Sequence, residues 1–306
     1  MPKIEITRTT YENFGKCVKM SNGTIELYVT IDVGPRVIHF SRVGMKNIFF
    51  TDKEHKPLGE KFDIFGGDIY KPYGGHRLWI SPEIMPRCYH PDNLPVTVTE
   101  VEGGAAFAGA VEEHNKIQKI ITILMPESGE GVTVLHTIKN VGVWEIELAP
   151  WCITVMAPGG VGVMPNPSVK TGFLYNRNFS LWDYSEMNDE RVYWGKDFIT
   201  LKQIPGKENL FKLGYNNVEG WGAYFTNGQA FFKFFDPEED GMYPDNNCCY
   251  ESYVNGFFLE AETLGEMSLI PPGGEISVAE EWELYEEGLP PSDEAGIKAV
   301  IDKFIE

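Results

Sequence analysis

The chain has 306 residues, of which 42% are hydrophobic and 13% aromatic, so it contains enough apolar material for a large core. Its formal net charge of −19 argues against a nucleic acid or an anionic membrane as partner, because both require a basic surface. An anionic substrate is also disfavoured, although a local arginine or lysine cluster could override the net field. A neutral polyol such as a sugar is the better-matched ligand.

The cysteines and the first residues of the chain indicate a reducing compartment. Five cysteines is an odd number, and adjacent Cys248 and Cys249 match no common zinc spacing. We interpret all five as reduced thiols of a cytoplasmic protein. Residues 1–16 lack the apolar stretch of a signal peptide, and no run reaches the roughly 18 apolar residues of a membrane span. Phosphate-loop, H-E-x-x-H and G-x-S-x-G motifs are also missing, so we expect no cofactor and no metal.

Short alternating segments dominate the first half of the chain. Asn22-Gly23 predicts a hairpin between Lys16–Met20 and Thr24–Ile31, the second of which alternates apolar and polar side chains. A short helix is predicted around Gly59–Phe65. Further strand-like runs follow, separated by turn residues: Arg36–Phe40, Met45–Phe49, Val96–Val101, Ala105–Glu112, Ile117–Leu124 and Val132–Ile138.

The segment Asp68–Pro95 carries the densest group of polar side chains. It contains Gly74-Gly75, five prolines and the candidate residues His76, Arg77 and Glu83. Because proline and glycine interrupt helices and central strands, we predict a long loop here, and long loops with such side chains are often functional. The alternative is an ordered loop that closes one end of a β-fold.

The second half of the chain is also rich in predicted strands. Pro150 within Glu145–Val155 predicts an edge strand or a bulge. Asn227-Gly228 predicts a tight hairpin, and Tyr250–Thr263 and Glu275–Leu284 are further strands. At the end of the chain, Ser292 is a candidate N-cap for a short helix. These features predict an all-β sandwich or barrel that forms a single domain over residues 1–306, with one C-terminal helix.

A pair of glutamates on one predicted strand is the clearest candidate for acid–base chemistry. Glu260 and Glu262 lie two residues apart and therefore on the same face, beside Phe258 and Leu264. If that face is partly buried, desolvation and mutual repulsion raise at least one pKa, which suits a general base. If it is solvated, the pair is an ordinary surface feature.

Three other features of the sequence carry ionisable side chains in unusual places. His136 on an apolar strand face is expected to be a buried structural residue. Lys233 in FFKFF is an unusual charge that needs a partner if it faces inward, and we include it among the candidate substrate-binding residues. A loop of acids could bind calcium but lacks the alternation of an EF-hand, so a solvated loop is favoured: Asp236, Glu238, Glu239, Asp240 and Asp245.

Several motifs, taken in order, resemble the galactose-mutarotase-like superfamily, which includes the aldose 1-epimerases. They are IELYVTIDVGPRVIHF, GGHRLW followed by PE and PDN, HTIKNVGVWEIELAPWCITVMAPGG, and FFLEAETLGEMSLIPPGGEISVAEEWEL. The similarity covers most of the chain and is nearest to a branch with GGHRLW and LExETLG motifs. It implies a large twisted antiparallel β-supersandwich with a sugar site in the concave groove of one sheet.

The resemblance also implies roles for individual residues. Glu260 matches the glutamate that takes the proton of the anomeric hydroxyl, with Glu262 as its competitor. His76 and Arg77 resemble the early His/Arg segment, which implies an acid and an orienting donor. Trp151 and Glu83 would line the sugar pocket, since a tryptophan face stacks on a pyranose.

One departure from the family separates the alternatives. The family's acid histidine follows a mid-chain strand, where this chain has Ala149-Pro150-Trp151. Either His76 acts as the acid of an aldose 1-epimerase-like enzyme, or the protein binds or senses a carbohydrate without catalysis. A third reading is hydrolysis by a carboxyl pair such as Glu260 and Glu83. The sequence leaves the oligomeric state open.

Overall fold

Two large antiparallel sheets make up nearly all of the computed structural model, which describes residues 4–59, 61–238 and 240–305. The strands, in chain order, are β1 (Glu5–Thr10), β2 (Lys16–Ser21), β3 (Ile25–Thr30), β4 (Val37–Arg42), β5 (His76–Ser81), β6 (Thr97–Val101), β7 (Gly104–Ala108), β8 (Ile117–Leu124), β9 (Gly131–Asn140), β10 (Ile146–Met156), β11 (Val161–Pro165), β12 (Phe179–Leu181), β13 (Val192–Trp194), β14 (Phe198–Lys202), β15 (Phe211–Tyr215), β16 (Trp221–Thr226), β17 (Gln229–Phe234), β18 (Tyr250–Val254), β19 (Leu259–Leu264), β20 (Ser268–Ile270) and β21 (Glu275–Glu286). The predicted all-β class is confirmed.

The two sheets have different strand sets. The first sheet runs β1-β2-β3-β4-β5-β10-β19-β18-β15-β12, with β20 paired to β10. The second runs β13-β14-β11-β16-β17-β21-β9-β8-β7-β6. Apolar side chains from both sheets, such as Leu27 and Leu78 from the first and Val134 and Trp282 from the second, form one buried core cluster. The first sheet also has a second face, which points away from this core, and the groove described below lies on that face.

Both predicted tight hairpins are present. β2 and β3 pair around Asn22-Gly23, with Cys17 opposite Thr30. β16 and β17 pair around Asn227 and Gly228, whose φ angles of 51° and 74° are those that the favoured two-residue hairpin turn requires. The sequence signal is strong here because the turn conformation depends on these two residues alone.

The loop predicted for Asp68–Pro95 is wrong for its central part. His76–Ser81 forms β5, which lies in the middle of the first sheet between β4 and β10. Pro72, Gly74 and Gly75 come before this strand, with φ of 85° and 68° at the two glycines, and the next proline, Pro82, comes after it. The six residues between Gly75 and Pro82 are enough for a strand of ordinary length.

The edge-strand prediction for Pro150 is also wrong, because β10 is central. The strand pairs with β5 on one side along Ala149–Thr154. On its other side it pairs first with β20, over Ile146–Leu148, and then with β19 from Trp151 onward. Pro150 falls between these two partners, where its missing N–H removes no ladder bond, and its carbonyl accepts from Gly265 N.

The helical predictions are correct in place and differ in detail. The C-terminal helix α2 spans Glu294–Ile301, and its N-cap is Asp293, which accepts from Gly296 N, rather than Ser292. Around the predicted helix at Gly59–Phe65, the described residues form one 3-10 turn at Asp63–Phe65, and Glu60 lies outside the described residues. Two further short helical segments in the described residues are a 3-10 turn at Arg87–Tyr89 and α1 at Pro244–Asn247. In Met45–Phe49 only Phe49 makes a bridge, to Met156.

Within the described ranges, no helix is long and apolar enough to cross a membrane.

Candidate functional site

Five adjacent strands of the first sheet present a concave face away from the core. Side chains alternate along a strand, so Arg77 and Trp79 of β5 lie on this face while Leu78 packs in the core. Trp151 of β10 and Glu260 of β19 line the same cavity, which has a volume of about 540 Å³. That volume is within the roughly 300–1,000 Å³ of small-molecule sites. We call this cavity the groove.

A carboxylate and a guanidinium meet at the centre of the groove. Arg77 Nη2 donates to Glu260 Oε1 over 3.2 Å. Burial raises the pKa of Glu260, and the nearby Arg77 opposes that rise. Arg77 is only 5% exposed, and its Nε and Nη1 have no hydrogen-bond partner among the described residues. Buried donors without partners are costly unless a ligand satisfies them, so this pair has the composition of a polar binding centre.

Glu262 lies deeper than Glu260 and already has partners. Trp151 Nε1 donates to Glu262 Oε2 over 2.8 Å, and Lys212 Nζ lies 3.1 Å from the same oxygen. Glu262 is fully buried and does not line the groove. Of the two candidate carboxylates, Glu260 therefore faces the groove and Glu262 supports its floor.

Lys212 is a groove residue that sequence reasoning missed. Its Nζ lies 2.6 Å from Glu251 Oε2 and within 4.6 Å of the ring centres of Trp151 and Trp182. Burial raises the pKa of Glu251 well above its usual range, and Lys212 opposes the rise. Glu251 and Glu262 therefore share one buried ammonium, which offsets part of the cost of burying two carboxyl groups side by side. The sequence feature that could have identified Lys212 is a lone lysine in the apolar strand FKLGY, comparable to Lys233 in FFKFF.

His76 does not reach the groove. Its side chain is fully buried on the opposite face of β5 from Arg77, where its Nε2 lies 2.7 Å from His136 Nε2. His136 Nδ1 donates to Val278 O, so His76 Nε2 donates to His136 and His76 Nδ1 accepts from Thr154 Oγ1. Burial and the charge of Lys233 lower the pKa of His76 well below its usual range. The expectation that His76 acts as the acid is corrected: alternation along the strand directs it into the core.

Lys233 is likewise on the core side, which corrects its assignment to substrate binding. Its Nζ forms a salt bridge of 2.9 Å with Glu280 Oε1 and donates to the carbonyls of Cys152 and Ala261. It thus has the partner that an inward-facing lysine requires. His136 is buried as predicted.

His76, His136 and Glu280 have ligand atoms within 4.8 Å of one another, a spacing that a metal ion could bridge. Glu280 is occupied by Lys233 and by Trp282 Nε1, which donates over 2.7 Å, while the Thr263 hydroxyl also donates to it. The two imidazoles bond to each other. These hydrogen bonds satisfy the donor set, and the Lys233 ammonium would repel a cation placed there.

Glu83 and Trp151 both line the groove, at different depths. Trp151 is 3% exposed and lies in its floor, packed 5.4 Å from Trp79 between ring centres. Glu83 is exposed at the rim and accepts a hydrogen bond from the Tyr89 hydroxyl. Glu83 and Glu260 thus line one cavity.

The acidic loop lies away from the groove. Asp236 and Glu238 line a separate cavity of about 420 Å³, together with Glu266. Glu239 lies outside the described residues. Among those that are described, the loop acids form no cluster of three ligand atoms at metal-binding distance.

No family model matches the chain, and no curated protein matches it. Similar solved structures exist at low sequence identity. A galactose mutarotase-like protein from Lactobacillus casei has a TM-score of 0.54 at 11% identity, with 88% of this chain and 100% of that chain covered. A galactose mutarotase-like protein from Clostridium acetobutylicum has a TM-score of 0.50 at 12% identity, with 92% and 99% covered.

A TPR-domain containing protein from Parabacteroides distasonis has a TM-score of 0.61 at 12% identity. The match covers 91% of this chain and 49% of that protein, so this chain corresponds to about half of its length. At such identities the likeness establishes architecture and not activity. On this evidence, the chain has the fold of the galactose mutarotase-like proteins.

Proposed function

We propose that this chain is a carbohydrate-active protein that acts as an aldose 1-epimerase-like isomerase on a neutral sugar. The observation that carries the proposal is Glu260, a carboxylate whose pKa is raised by burial, beside Arg77 in an aromatic groove. A raised pKa brings a glutamate nearer to the working pH of a general base. Aromatic faces beside a charged pair suit a pyranose, which is apolar on its ring faces and polar at its edges.

In the proposed reaction, Glu260 takes the proton of the anomeric hydroxyl. The bond from the anomeric carbon to the ring oxygen then breaks, which gives an open-chain aldehyde. The Arg77 guanidinium, next to Glu260, stabilises the oxygen on which negative charge develops. Solvent water supplies the proton of that oxygen, and Glu260 holds the anomeric proton until the ring recloses, when it returns this proton to the carbonyl oxygen while the attacking hydroxyl gives its own proton back to solvent. Rotation and reclosure yield the other anomer.

A non-catalytic carbohydrate-binding or sensing function is the second candidate. The observation that favours it is the composition of the groove, because no histidine is among its described lining residues. Binding needs the aromatic floor and the free donors of Arg77, but no acid. The two candidates differ in one measurable quantity, the rate of anomer exchange.

We further propose that the whole chain forms one domain, because the two sheets share a core. We also propose a reducing, cytoplasmic location, since all five cysteines lie in the described part of the chain and are unpaired and buried.

Anomer exchange by NMR on a panel of free aldoses tests the proposed function. The wild type, Glu260→Gln and the exposed control Glu100→Gln should be compared at equal concentration. We expect exchange above the buffer rate for the wild type and the control, and none above it for Glu260→Gln. If a sugar raises the melting temperature but exchange stays at the buffer rate, the binding function replaces the isomerase.

A further inference from the structure

Ring opening requires a proton on the ring oxygen, and three basic side chains line the groove: Lys56, Arg77 and Lys212. Arg77 cannot supply this proton, because a guanidinium does not release one in a protein. Burial lowers the pKa of Lys212, but neighbouring carboxylate charges, above all that of Glu262, raise it above its ordinary value. Lys56 is exposed, and its hydrogen bond with Glu54 raises its pKa. None of the three cations is therefore suited to protonate the ring oxygen.

Three tyrosines also line the groove, and they differ in the contacts of their hydroxyl groups. Tyr89 Oη donates to Glu83, so its proton already has an acceptor. The hydroxyls of Tyr184 and Tyr253 donate to no residue in the described part of the chain, and Tyr253 Oη only accepts, from Asn255. A phenol with a free proton can act as a general acid. The groove therefore offers two candidates, Tyr184 and Tyr253.

Strand register favours Tyr253. It lies on β18 directly opposite Glu260 on β19. The side chains of such a cross-strand pair share one face of the sheet, with their Cβ atoms about 5 Å apart. Tyr184 comes from the loop between β12 and β13 and packs on Tyr253, with ring centres 6.5 Å apart. An acid and a base that act on one anomeric centre must face the same small volume, and the position of Tyr253 meets this requirement.

The groups around the Tyr253 hydroxyl suit a donor that gives up its proton at one step. Burial raises the pKa of Tyr253, the hydrogen bond from Asn255 Nδ2 lowers it, the charge of Glu260 raises it, and that of Lys212 lowers it. Once Glu260 has taken the anomeric proton, it is neutral and no longer opposes ionisation of the phenol. Tyr253 therefore becomes a stronger acid at the step where the ring oxygen needs a proton.

We propose that Tyr253 is the acid that protonates the ring oxygen, opposite Glu260 as the base. This inference rests on the proposed function and adds a second catalytic residue to it. As the bond from the anomeric carbon to the ring oxygen breaks, the proton of Tyr253 Oη moves to that oxygen and leaves a phenolate, which Asn255 and Lys212 stabilise.

Reclosure restores both groups. The hydroxyl that attacks the aldehyde gives its proton to the Tyr253 phenolate, and Glu260 returns the anomeric proton to the carbonyl oxygen. Each bond from oxygen to hydrogen that breaks is matched by one that forms, so the cycle has no net proton uptake or release. Tyr253 thus performs within the groove the transfer that solvent water performs more slowly in its absence.

The test is Tyr253→Phe, which removes the hydroxyl and keeps the ring that packs near Phe258, with ring centres 6.2 Å apart. Anomer exchange by NMR on glucose, galactose, mannose and xylose gives kcat and KM for the wild type, Tyr253→Phe and Tyr184→Phe. Tyr175→Phe is the matched control, because Tyr175 is 84% exposed and is not among the residues that line the groove. Calorimetric titration with the same sugars gives affinity, and thermal unfolding checks that each variant is folded.

We expect Tyr253→Phe to lower kcat about hundredfold, which is the scale of general acid catalysis, and to leave affinity within about threefold. Tyr175→Phe should match the wild type. A wild-type kcat in Tyr253→Phe, or a larger loss in Tyr184→Phe, would overturn this inference and leave the proposed function intact. Weaker affinity with unchanged kcat would also overturn it, because such a hydroxyl only binds the sugar. If the wild type exchanges none of the four sugars, the proposed function fails and this inference fails with it.

Discussion

His76 and Arg77 are adjacent in the chain, yet their side chains lie on opposite faces of the first sheet. His76 Nε2 is 2.7 Å from His136 in the core, and Arg77 Nη2 is 3.2 Å from Glu260 in the groove. Strand β5 therefore separates a residue that packs between the two sheets from one that faces the groove. Their variants should have different consequences.

His76→Phe should lower stability and leave sugar binding unchanged. The substitution keeps an aromatic ring but leaves the polar groups of His136 and Thr154 without their partner. Each unsatisfied buried group costs about 1–3 kcal/mol of unfolding free energy. Urea unfolding measures the loss, and sugar titration of the folded variant measures affinity. Arg77→Met is the comparison, with weakened sugar binding expected. Loss of affinity in folded His76→Phe would contradict this division of roles.

Lys233→Met should be among the most destabilising single changes in the core. It leaves Glu280 as a buried carboxylate without its counter-charge, which costs about 3–5 kcal/mol. The double variant Lys233→Met/Glu280→Gln should recover part of this loss, because it removes the unpaired charge. Denaturant unfolding of both variants provides the values. The exposed control Lys298→Met should change stability by no more than about 0.5 kcal/mol. Equal losses for Lys233→Met and this control would show that Lys233 is not held as described.

The stability contributed by His39 should fall as the solution becomes acidic. Burial lowers the pKa of His39 to about 4, whereas the unfolded value is about 6.5. Between these values the unfolded chain binds more protons, so the contribution is complete above pH 6.5 and is lost as the pH falls toward 4. Between pH 6.5 and 5 the loss is at most about 2 kcal/mol.

Comparison with His39→Gln isolates this effect. Glu251 and Glu260 have pKa values raised by burial, so their contribution has the opposite sign and is lost as the pH rises above their unfolded values. The contributions of Glu251 and Glu260 are the same in the wild type and the variant, so they cancel when the two free energies of unfolding are subtracted. Urea unfolding at pH 7 and pH 5 should show a stability gap between the two proteins that shrinks at pH 5. A gap independent of pH would refute the assignment.

Gly75→Ala should disrupt the start of β5. Gly75 has a φ of 68°, and a Cβ there would lie 2.3 Å from the Val37 carbonyl oxygen. Left-handed strain of about 1–2 kcal/mol and a backbone clash of similar size together predict a loss of about 3 kcal/mol. Gly103→Ala is the matched control, since it has a φ of 74° and nothing within 4 Å of the added Cβ. Thermal unfolding should separate the two variants; similar melting temperatures would be inconsistent with the close approach.

Local sequence signals predicted much of the fold. Alternation located β8 at Ile117–Leu124, and Asn227-Gly228 fixed a hairpin, because these features depend on neighbouring residues only. The position of β5 at the centre of the sheet was not predictable in this way. It depends on pairing with β10, about 70 residues away, which the surrounding glycines and prolines do not encode.

The faces on which the site residues lie were predictable from local alternation, but their contacts with other strands were not. Period-two alternation correctly placed Glu260 and Glu262 on one face, but their depths depend on Lys212 and Trp151, which come from other strands. The same alternation also implies that His76 and Arg77 face opposite ways, once their segment is known to be a strand. The long-range partner of Lys233, Glu280 on β21, could not be inferred from FFKFF.

The contacts of Lys233 determine which parts of the groove can vary during evolution. Its ammonium binds the backbone carbonyls of Cys152 and Ala261, on the two neighbouring strands that carry Trp151 and Glu260. Those strands cannot slide past each other without breaking these bonds, so the floor of the groove keeps one geometry. The rim loops that carry Leu58 and Phe257 lack such a constraint among the described contacts. Substitutions in these loops can change which ligands fit the groove without moving Arg77 and Glu260. Ligand selectivity can therefore change during evolution independently of the chemistry of the charged pair.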